Sequence, residues 1–285
     1  NAIQERPIYP TRGLIYDRNN NLLVANKPVY DLMVVPENIG AFDTLALISN
    51  LNISKKDLLS KIKSAEKFSK KLSSVLVRQL PLNEVAILQE KMWKFPGFYF
   101  QKKSTRDYVV PIAPNVLGYT SETNQREIKT KTDYDLGEMI GRQGIEKTYE
   151  NLLRGKKGKE LFQKDRFNRI IGRYEGGTYD QKPEAAENLN LTIDATLQAY
   201  GEALMSNKRG GIVAIEPQTG EILSLVSAPN YNPNLLTGRD RSEYFRKLLN
   251  DSISRPLFDR SLQAEYSPGS PFKTLNALIG LQENI

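Results

Sequence analysis

The composition and the hydrophobic pattern of the sequence change near residue 187, which indicates a boundary between two domains. Residues 101–185 are polar and rich in Gly, Arg and Lys. After them, residues 189–193 alternate as a β-strand does, Asp194 is a helix-capping residue, and two apolar runs flank a turn. A chain of 285 residues also exceeds the ~100–200 residues usual for one domain. We therefore predict an α+β protein of two domains, residues 1–187 and residues 188–285.

Histidine and cysteine are both absent from the sequence. Their absence excludes Ser-His-Asp and Cys-His nucleophile pairs, disulfides, and metal sites built from thiolates or imidazoles. A general base in this chain must therefore be Lys, Asp, Glu or Tyr. We predict no cofactor and no metal ion.

Lysines make residues 55–71 strongly basic, within a chain whose net charge is +7. Four apolar residues recur at helical spacing through this segment: Leu58, Ile62, Ala65 and Leu72. Lys56, Lys63 and Lys67 fall on another face of the same helix. The pattern predicts an amphipathic helix with a solvated side. Arginines and aromatic residues that stack on bases do not accompany it, so nucleic-acid binding is not expected.

The first domain is predicted to open with strands and to continue with helices. A polar turn at residues 17–21 separates two strand-like runs and a third follows, which indicates a β-meander. Residues 41–95 are predicted to be mainly helical, and residues 98–100 to form a strand. Further on we expect one amphipathic helix within residues 141–158 and a linker over residues 172–183.

The second domain is predicted to begin with a helix and a hairpin. Asp194 caps the helix. Its apolar face is predicted to consist of Leu197, Tyr200, Ala203 and Leu204. The hairpin pairs residues 211–215 with residues 221–226, because the Pro and Gly of residues 216–220 favour a tight turn.

The candidate catalytic residues are Ser270 and Lys273, within Tyr266-Ser-Pro-Gly-Ser-Pro-Phe-Lys273. The Pro-Gly pair ends the preceding segment, and Pro271 suits the first position of a helix. Residues i and i+3 share one face of a helix, with Cβ atoms about 5–6 Å apart, so the Lys273 amine can reach the Ser270 hydroxyl. This arrangement provides a nucleophile, Ser270, and a general base, Lys273.

The helix that follows Ser270 is predicted to be buried, because it is too apolar for a surface helix. Its apolar residues are Phe272, Leu275, Leu278, Ile279 and Leu281. Burial and the positive end of the helix dipole both disfavour the charged form of Lys273, which suits a base. The N–H groups at the same helix end can bind an oxyanion.

The Ser-x-x-Lys spacing also occurs at residues 60–63 and 64–67. Both copies lie in the lysine-rich helix, without a Pro-Gly break or a buried context, and we interpret them as solvated surface. For Ser270 itself the residue types leave two alternatives open, a catalytic pair or a helix cap with an exposed Lys273.

Residues 256–278 resemble the nucleophile segment of class B penicillin-binding proteins. Other motifs of that family are similar, in the same order, to Arg12-Gly-Leu-Ile-Tyr-Asp-Arg18, Gly141-Arg-Gln-Gly-Ile-Glu-Lys-Thr-Tyr149 with Leu153-Arg-Gly155, Leu191-Thr-Ile-Asp194 and Gly211-Ile-Val-Ala-Ile-Glu-Pro-Gln-Thr-Gly-Glu-Ile-Leu223. Five ordered blocks cover nearly the whole chain. Three shorter segments resemble the elongation and cell-shape branch of the family rather than its division branch: Phe95-Pro-Gly97, Val116-Leu-Gly-Tyr119 and Leu248-Leu-Asn-Asp251.

The resemblance implies a serine-type D,D-transpeptidase of peptidoglycan synthesis. Residues 1–187 would form a pedestal, dimerisation-like domain, and residues 188–285 the first part of a transpeptidase domain of the penicillin-binding and serine β-lactamase type. Ser270 would attack the penultimate D-alanine carbonyl of a stem peptide, and its backbone N–H would contribute to the oxyanion hole. Lys273 would accept the serine proton. β-Lactam antibiotics would acylate the same serine.

The resemblance also implies a location and partners. We expect an extracytoplasmic protein of the bacterial cell envelope, anchored by a transmembrane helix that precedes residue 1. The expected partners are peptidoglycan stem peptides, a membrane-embedded glycosyltransferase and elongation scaffold proteins.

The sequence departs from the family pattern in several places. Asn20 stands where relatives have a turn Gly, which is tolerated because Asn adopts positive φ. Asp259 replaces a usual Asn, and Pro271 a usual Thr or Ser. Relatives also carry a Ser-x-Asn element and a Lys-Thr-Gly or Lys-Ser-Gly strand after the nucleophile helix, and neither occurs in the twelve residues after Lys273. We therefore expect this chain by itself to be inactive.

Two other functions compete with the transpeptidase interpretation. One is a non-catalytic envelope interaction module that acts through the first domain, with a merely structural serine segment. The other is a penicillin-binding sensor or a serine β-lactamase, which shares the serine-lysine helix but does not explain residues 1–187.

Overall fold

The computed structural model describes residues 3–49, 51, 53–131, 133–166 and 170–285, and in them the chain is α+β, as predicted. The strands of this described part are β1 (Ile3–Ile8), β2 (Ile15–Tyr16), β3 (Leu22–Val34), β4 (Ser74–Leu80), β5 (Phe98–Tyr108), β6 (Thr120–Glu122), β7 (Met139–Gly141), β8 (Gly158–Lys164), β9 (Ile170–Arg173), β10 (Leu189–Asn190), β11 (Gly210–Ile215) and β12 (Ile222–Ala228). Its α-helices are α1 (Thr44–Ile48), α2 (Lys55–Phe68), α3 (Leu82–Gln89), α4 (Pro114–Leu117), α5 (Glu127–Thr130), α6 (Gly144–Thr148), α7 (Glu150–Arg154), α8 (Ala195–Leu204), α9 (Arg241–Asn250) and α10 (Phe272–Glu283). None of these helices is long and apolar enough to span a lipid bilayer.

The main sheet is built around the long strand β3. Its strand order is β10-β2-β3-β4, and β5 pairs with the other edge of β3. β3 and β5 are antiparallel over their whole overlap, from Val24 opposite Tyr108 to Val34 opposite Phe98. Smaller sheets are formed by β1-β8-β9, by β6-β7 and by β11-β12.

The predicted meander is partly wrong, because its second and third strands are one continuous strand, β3. β3 includes Pro28, which has no N–H to donate to a neighbouring strand. On the edge of β3 that faces away from β5, pairing with β2 stops at Val24 and pairing with β4 begins at Tyr30. Pro28 therefore lies opposite a gap between β2 and β4 on that edge.

Residues 36–103, which we call the head, carry a layer of helices on one face of the main sheet. α1, α2 and α3 pack on this face through a single apolar core, which includes Leu47, Leu58 and Leu88. The amphipathic α2 is confirmed, with Leu58, Ile62 and Ala65 buried, whereas Leu72 lies beyond the helix and is exposed. Residues 41–95 are mainly helical, as predicted, but they also contain the strand β4, whose short apolar run does not distinguish strand from helix by periodicity.

Two other local predictions are corrected by the structure. The single helix expected within residues 141–158 is two short helices, α6 and α7, because Tyr149 between them leaves the helical region with φ −103° and ψ +26°. The expected linker at residues 172–183 is structured. It contains the end of β9 and a 3₁₀ turn, and Gln181 forms a bridge with Lys159.

Four charged side chains form a buried network: Arg12, Arg106, Glu146 and Glu150. Arg106 Nε donates to Glu146 Oε1 over 2.6 Å, and neither side chain is more than 1% exposed. Arg12 donates to the other Glu146 oxygen over 2.8 Å and to Glu150 over 2.7 Å. Burial alone lowers the pKa of Arg12, but its hydrogen bonds to Glu150 and the charge of Glu146 raise it above its usual value. Two positive charges thus face two negative ones. This balance is important because an unpaired buried charge would lower the stability of the fold.

The turn at residues 17–21 joins the main sheet to the start of α8. The Asp17 carboxylate accepts hydrogen bonds from the N–H groups of Asn19, Asn21 and Ala195. Burial alone raises the pKa of Asp17, but these hydrogen bonds and one from the Asn21 side chain lower it below its ordinary value. Asn20 has a φ of +62°, so the positive φ expected of this turn is confirmed.

The helix and hairpin predicted after residue 187 are confirmed. Asp194 caps α8 by accepting hydrogen bonds from the N–H groups of Thr196 and Leu197. β11 and β12 are antiparallel, with Val213 opposite Leu225. β10, just before α8, pairs in parallel with β2. The domain boundary at residue 187 stays a prediction.

The segment after the hairpin packs back onto the main sheet. The Asn234 side chain accepts a hydrogen bond from the Tyr108 N–H over 2.9 Å and donates one to the Tyr108 carbonyl over 2.8 Å. A shared apolar cluster beside this contact contains Tyr119, Tyr231 and Leu236, against which Tyr244, Phe245, Leu248 and Leu257 pack. The carboxylate of Glu202 on α8 accepts a hydrogen bond from the Ala113 N–H over 2.6 Å. The two halves of the chain thus share both hydrogen bonds and core.

We expect Arg106→Met to lower the free energy of unfolding by about 3–5 kcal/mol, because it leaves a buried carboxylate with one partner fewer. Urea denaturation followed by circular dichroism measures this loss. The matched control is Lys27→Met on β3, which removes an exposed pair with Asp107 and costs no more than about 1 kcal/mol. Equal losses in the two variants would contradict the importance of the buried network.

Asp17→Asn is expected to destabilise the protein at neutral pH and to lose that effect in acid. The folded-state pKa of Asp17 is lowered, so its stabilising contribution is present above the unfolded pKa of about 4 and disappears as pH falls through the folded pKa. Urea denaturation of both proteins at pH 7, 4 and 3 measures the difference. If the difference in the free energy of unfolding between the two proteins is the same at pH 7, 4 and 3, the charge of the Asp17 carboxylate does not stabilise the fold.

Candidate active site

Ser270 lies two residues before the start of α10, and Lys273 is in the first turn of this helix. Gly269 turns the chain with a φ of +60°, and Pro271 follows with a φ of −54°. The first backbone hydrogen bonds run from the Phe272 N–H to the Gly269 carbonyl over 3.2 Å and from the Lys273 N–H to the Ser270 carbonyl over 3.0 Å. The helix therefore begins one residue later than predicted, at Phe272, and Pro271 precedes it as the N-cap residue with helical φ and ψ.

The two candidate catalytic side chains are exposed to solvent. Among the described residues, neither the Ser270 hydroxyl nor the Lys273 amine has a hydrogen bond or an ion pair, with each other or with a third group. Ser270 also does not cap α10, so the helix-cap alternative is not seen. The catalytic pairing of Ser270 and Lys273 stays a prediction.

The predicted burial of α10 is wrong for the described chain. Its apolar residues, from Phe272 to Leu281, are between 46% and 76% exposed. Among the described residues, no helix or strand packs closely along α10. Apolar periodicity indicates that one face of a helix packs against another element, but it does not identify that element. The described residues therefore do not provide the desolvation that a lysine base needs.

The same lack of cover affects the rest of the second domain. The four residues of the predicted apolar face of α8 are exposed: Leu197, Tyr200, Ala203 and Leu204. α8 instead packs its polar side on β12, where the Gln198 side chain accepts a hydrogen bond from the Leu225 N–H over 2.8 Å and donates one to the Leu225 carbonyl over 3.0 Å. Val213 and Ile215 of β11 are also exposed. The described second domain thus has apolar surface on α8, β11 and α10 without a partner.

The chain that leads towards Ser270 is held in place through Arg260. The Arg260 guanidinium donates to the carbonyls of Ser254 over 2.6 Å and Arg255 over 3.1 Å. Its backbone N–H donates to Ser227 Oγ on β12 over 2.9 Å, and this hydroxyl donates to the Phe258 carbonyl over 3.3 Å. Residues 254–260 are therefore fixed against the hairpin.

Gly211 on β11 allows this segment to lie directly on the hairpin. A Cβ at position 211 would be 2.9 Å from Ser261 Cα and 3.2 Å from the Arg260 carbonyl carbon. These atoms belong to backbone, which yields less easily than the end of a side chain. Two of the motif blocks, residues 211–223 and 256–278, thus meet at this contact.

The blocks at residues 12–18 and 141–155 meet in the buried charge network. Arg12 and Glu146 lie within these blocks, and Glu150 lies between residues 149 and 153 of the second one. No periodic pattern in the sequence indicates that these three residues form buried ion pairs. Arg106 lies outside all the blocks and carried no signal at all. Sequence reasoning missed these residues because a buried ion pair joins positions far apart in the chain.

A crevice of about 770 Å³ lies between the end of α8 and the end of β12, and its lining includes Glu202, Arg209 and Tyr231. Ser270 and Lys273 are not part of this lining. The described residues contain no group of three or more acidic side chains that could hold a metal ion.

Two family descriptions match the chain in sequence. Residues 7–191 match the Penicillin-binding Protein dimerisation domain, and residues 210–285 match the Penicillin binding protein transpeptidase domain. The chain therefore belongs to the class B penicillin-binding proteins. It carries a dimerisation domain followed by the start of a transpeptidase domain.

Within this family the chain is similar to MrdA. It is 36% identical over 292 residues to the peptidoglycan D,D-transpeptidase MrdA of Acinetobacter baumannii, which covers all of this chain and 42% of that protein. It is 31% identical over 294 residues to MrdA of Escherichia coli, which covers all of this chain and 46% of that protein. The chain thus spans less than half the length of these relatives.

A solved structure has the same fold. It is a complex between the penicillin-binding protein PBP2 and MreC from Helicobacter pylori, with a TM-score of 0.79 and 27% sequence identity. The match covers 98% of this chain and 53% of that one.

Gly211→Ala is expected to lower the free energy of unfolding by about 1–3 kcal/mol, because the added methyl group pushes the backbone of residues 260–261 off the hairpin. Thermal or urea denaturation measures the loss, and faster amide hydrogen exchange at residues 259–263 locates it. Gly238→Ala is the matched control, since a Cβ there meets nothing within 4 Å and should cost less than about 0.5 kcal/mol. A Gly211→Ala variant as stable as this control would refute the packing argument.

Proposed function

We propose that this chain is part of a D,D-transpeptidase that cross-links peptidoglycan stem peptides in cell-wall elongation and shape maintenance. The observation that carries the proposal is the match to both family domains, with a Ser-x-x-Lys pair at the start of a helix inside the second match. The similarity to MrdA over the full chain favours the elongation branch.

In the proposed reaction, the Ser270 hydroxyl attacks the carbonyl of the penultimate D-alanine of a donor stem peptide. Lys273 accepts the hydroxyl proton, which then passes to the departing nitrogen as terminal D-alanine leaves. An amine from a neighbouring strand attacks the resulting ester, forms the new peptide bond and releases Ser270. The backbone N–H of Ser270 contributes to stabilising the oxyanion in both steps. A β-lactam acylates Ser270 when the serine attacks its ring carbonyl. The ring C–N bond breaks, and the nitrogen stays attached to the acyl group, so no leaving group departs.

The exposed apolar surface of the second domain supports a longer catalytic domain. Leu278 and Ile279 on α10 and Val213 and Ile215 on β11 require cover, and the chain matches only part of the length of its relatives. We propose that the remaining part of a transpeptidase domain packs on this surface. Its packing would desolvate Lys273 and bring further catalytic motifs to Ser270.

The proposed organisation follows the two halves of the chain. Residues 1–187 act as a pedestal and residues 188–285 as the first part of the catalytic domain. The related PBP2 is found in a complex with MreC, so we propose an elongation scaffold protein of that kind as a partner of the pedestal, together with a membrane-embedded glycosyltransferase. The proposed location is the bacterial cell envelope.

A non-catalytic interaction module is the second candidate function. It is favoured by the exposure of Ser270 and Lys273, which leaves the pair without the surroundings that a nucleophile and base require. Under this alternative the first domain, with its buried charge network, is the functional part.

Mass spectrometry of the intact protein after incubation with a β-lactam separates the two functions. A chain extended at its C-terminus through a complete transpeptidase domain should gain the mass of one β-lactam. Ser270→Ala should abolish this gain, and Lys273→Ala should slow it by about 10²–10⁴-fold, as is typical when a general base is lost.

The chain supplies its own control for spacing. Ser60 and Lys63 have the same separation on the exposed side of α2, so Ser60→Ala and Lys63→Ala should leave acylation unchanged. An extended chain that folds but stays unlabelled would favour the interaction module. Normal acylation of Lys273→Ala would show that another group is the base.

A further inference from the structure

The positive charge of the chain is concentrated in the head. Residues 36–103 contain twelve Lys and Arg residues and six Asp and Glu residues, so the head carries +6 of the total net charge of +7. The remaining three quarters of the chain are close to neutral. This asymmetry indicates that the head faces a negatively charged partner.

The lysines of the head are free to bind such a partner. All seven lysines of residues 55–71 are exposed, and none of them forms an ion pair with a described residue. The same residues 55–71 contain two acidic residues, Asp57 and Glu66, and neither forms an ion pair with a described residue. The lysine charge on α2 is therefore largely uncompensated.

Large apolar side chains are exposed on the same helical layer. They occur on α1, at the end of α2, on α3 and on the 3₁₀ turn at Met92–Lys94, and include Leu45, Phe68, Leu82, Ile87 and Trp93. Trp93, the only tryptophan of the chain, is 78% exposed. The Lys94 amine lies 5.1 Å from the centre of its ring. Since α1, α2 and α3 share one core on one face of the sheet, their outward sides form the outer surface of one layer.

We propose that this outer surface of the head binds the surface of a lipid bilayer that contains anionic phospholipid. Exposed lysines together with an exposed tryptophan and exposed aliphatic side chains are typical of segments that lie in the headgroup region. A lipid surface complements both the lysine charge and the exposed Trp93 and Phe68, whereas an acidic protein surface would complement only the charge. The inference rests on the proposed envelope location.

Vesicle binding tests the proposal on the chain as it stands, with Trp93 as an internal fluorescent probe. Vesicles of phosphatidylcholine with one quarter phosphatidylglycerol should sediment the protein and shift its emission to shorter wavelength. Vesicles of pure phosphatidylcholine should do neither. Raising the salt from about 0.1 M to 1 M should release the protein, because the Debye length falls from about 10 Å to about 3 Å.

Substitutions show which lysines are responsible. The triple variant Lys56→Gln, Lys63→Gln and Lys67→Gln should weaken binding to the anionic vesicles about 100-fold, since each lysine near such a surface contributes roughly a factor of five. The matched control Lys129→Gln, Lys147→Gln and Lys182→Gln removes the same charge from exposed positions outside the head and should weaken binding less than about 3-fold. Trp93→Ala should also weaken sedimentation, about 10-fold or more.

Three results would overturn the proposal. They are no binding to anionic vesicles at about 0.1 M salt, equal binding to neutral vesicles, and equal weakening by the two triple variants. The first would leave an acidic protein as the kind of partner that this surface fits. All substituted lysines are exposed, and thermal denaturation by circular dichroism verifies that each variant folds. The acylation experiment depends on Ser270, which is outside the head, so failure of the proposed function is distinguished from failure of this inference.

Discussion

The buried network of Arg12, Arg106, Glu146 and Glu150 determines how the first half of the chain is assembled. Each arginine forms an ion pair with a carboxylate from a distant part of the sequence. Removing the arginines or the glutamates would leave uncompensated charge in the interior. The network therefore fixes the entry of the chain, the strand β5 and the helices α6 and α7 relative to one another. Two of the sequence blocks shared with the family come together for this reason.

Side-chain amides connect this assembly to the second half of the chain. Asn234 bonds to both backbone groups of Tyr108 on β5, and Gln198 does the same for Leu225 on β12. An amide can do this because it carries a donor and an acceptor side by side, as an extended backbone does. In both places a side chain occupies the position that a further strand would take, and so satisfies backbone groups that a sheet edge would otherwise leave open.

The sequence predicted the parts of the fold that depend on local interactions. The cap at Asp194, the positive φ of Asn20, the amphipathic α2 and the β11-β12 hairpin each follow from residues close together in the chain. The continuity of β3 through Pro28 could not be predicted, because it depends on where β2 and β4 happen to pair.

For the candidate site, the sequence predicted the helix start to within one residue but not the surroundings of Ser270 and Lys273. The apolar pattern of α10 indicates that the helix packs against another structural element, and the described residues do not contain that element. Burial of this helix is a property of the whole domain rather than of the twelve residues that form it. The catalytic roles of the two residues therefore depend on structure that local sequence does not encode.

The apolar cluster of Tyr119, Tyr231 and Leu236 has a practical consequence for exchanging parts between relatives. Residues 231–257 match the transpeptidase family in sequence, yet their side chains pack against Tyr119, which belongs to the dimerisation match. A chimera joined at the sequence boundary would build this one small core from side chains of two different parent proteins. Swaps that carry residues 231–257 together with the dimerisation domain would keep that core intact, so the useful crossover point lies well inside the catalytic sequence.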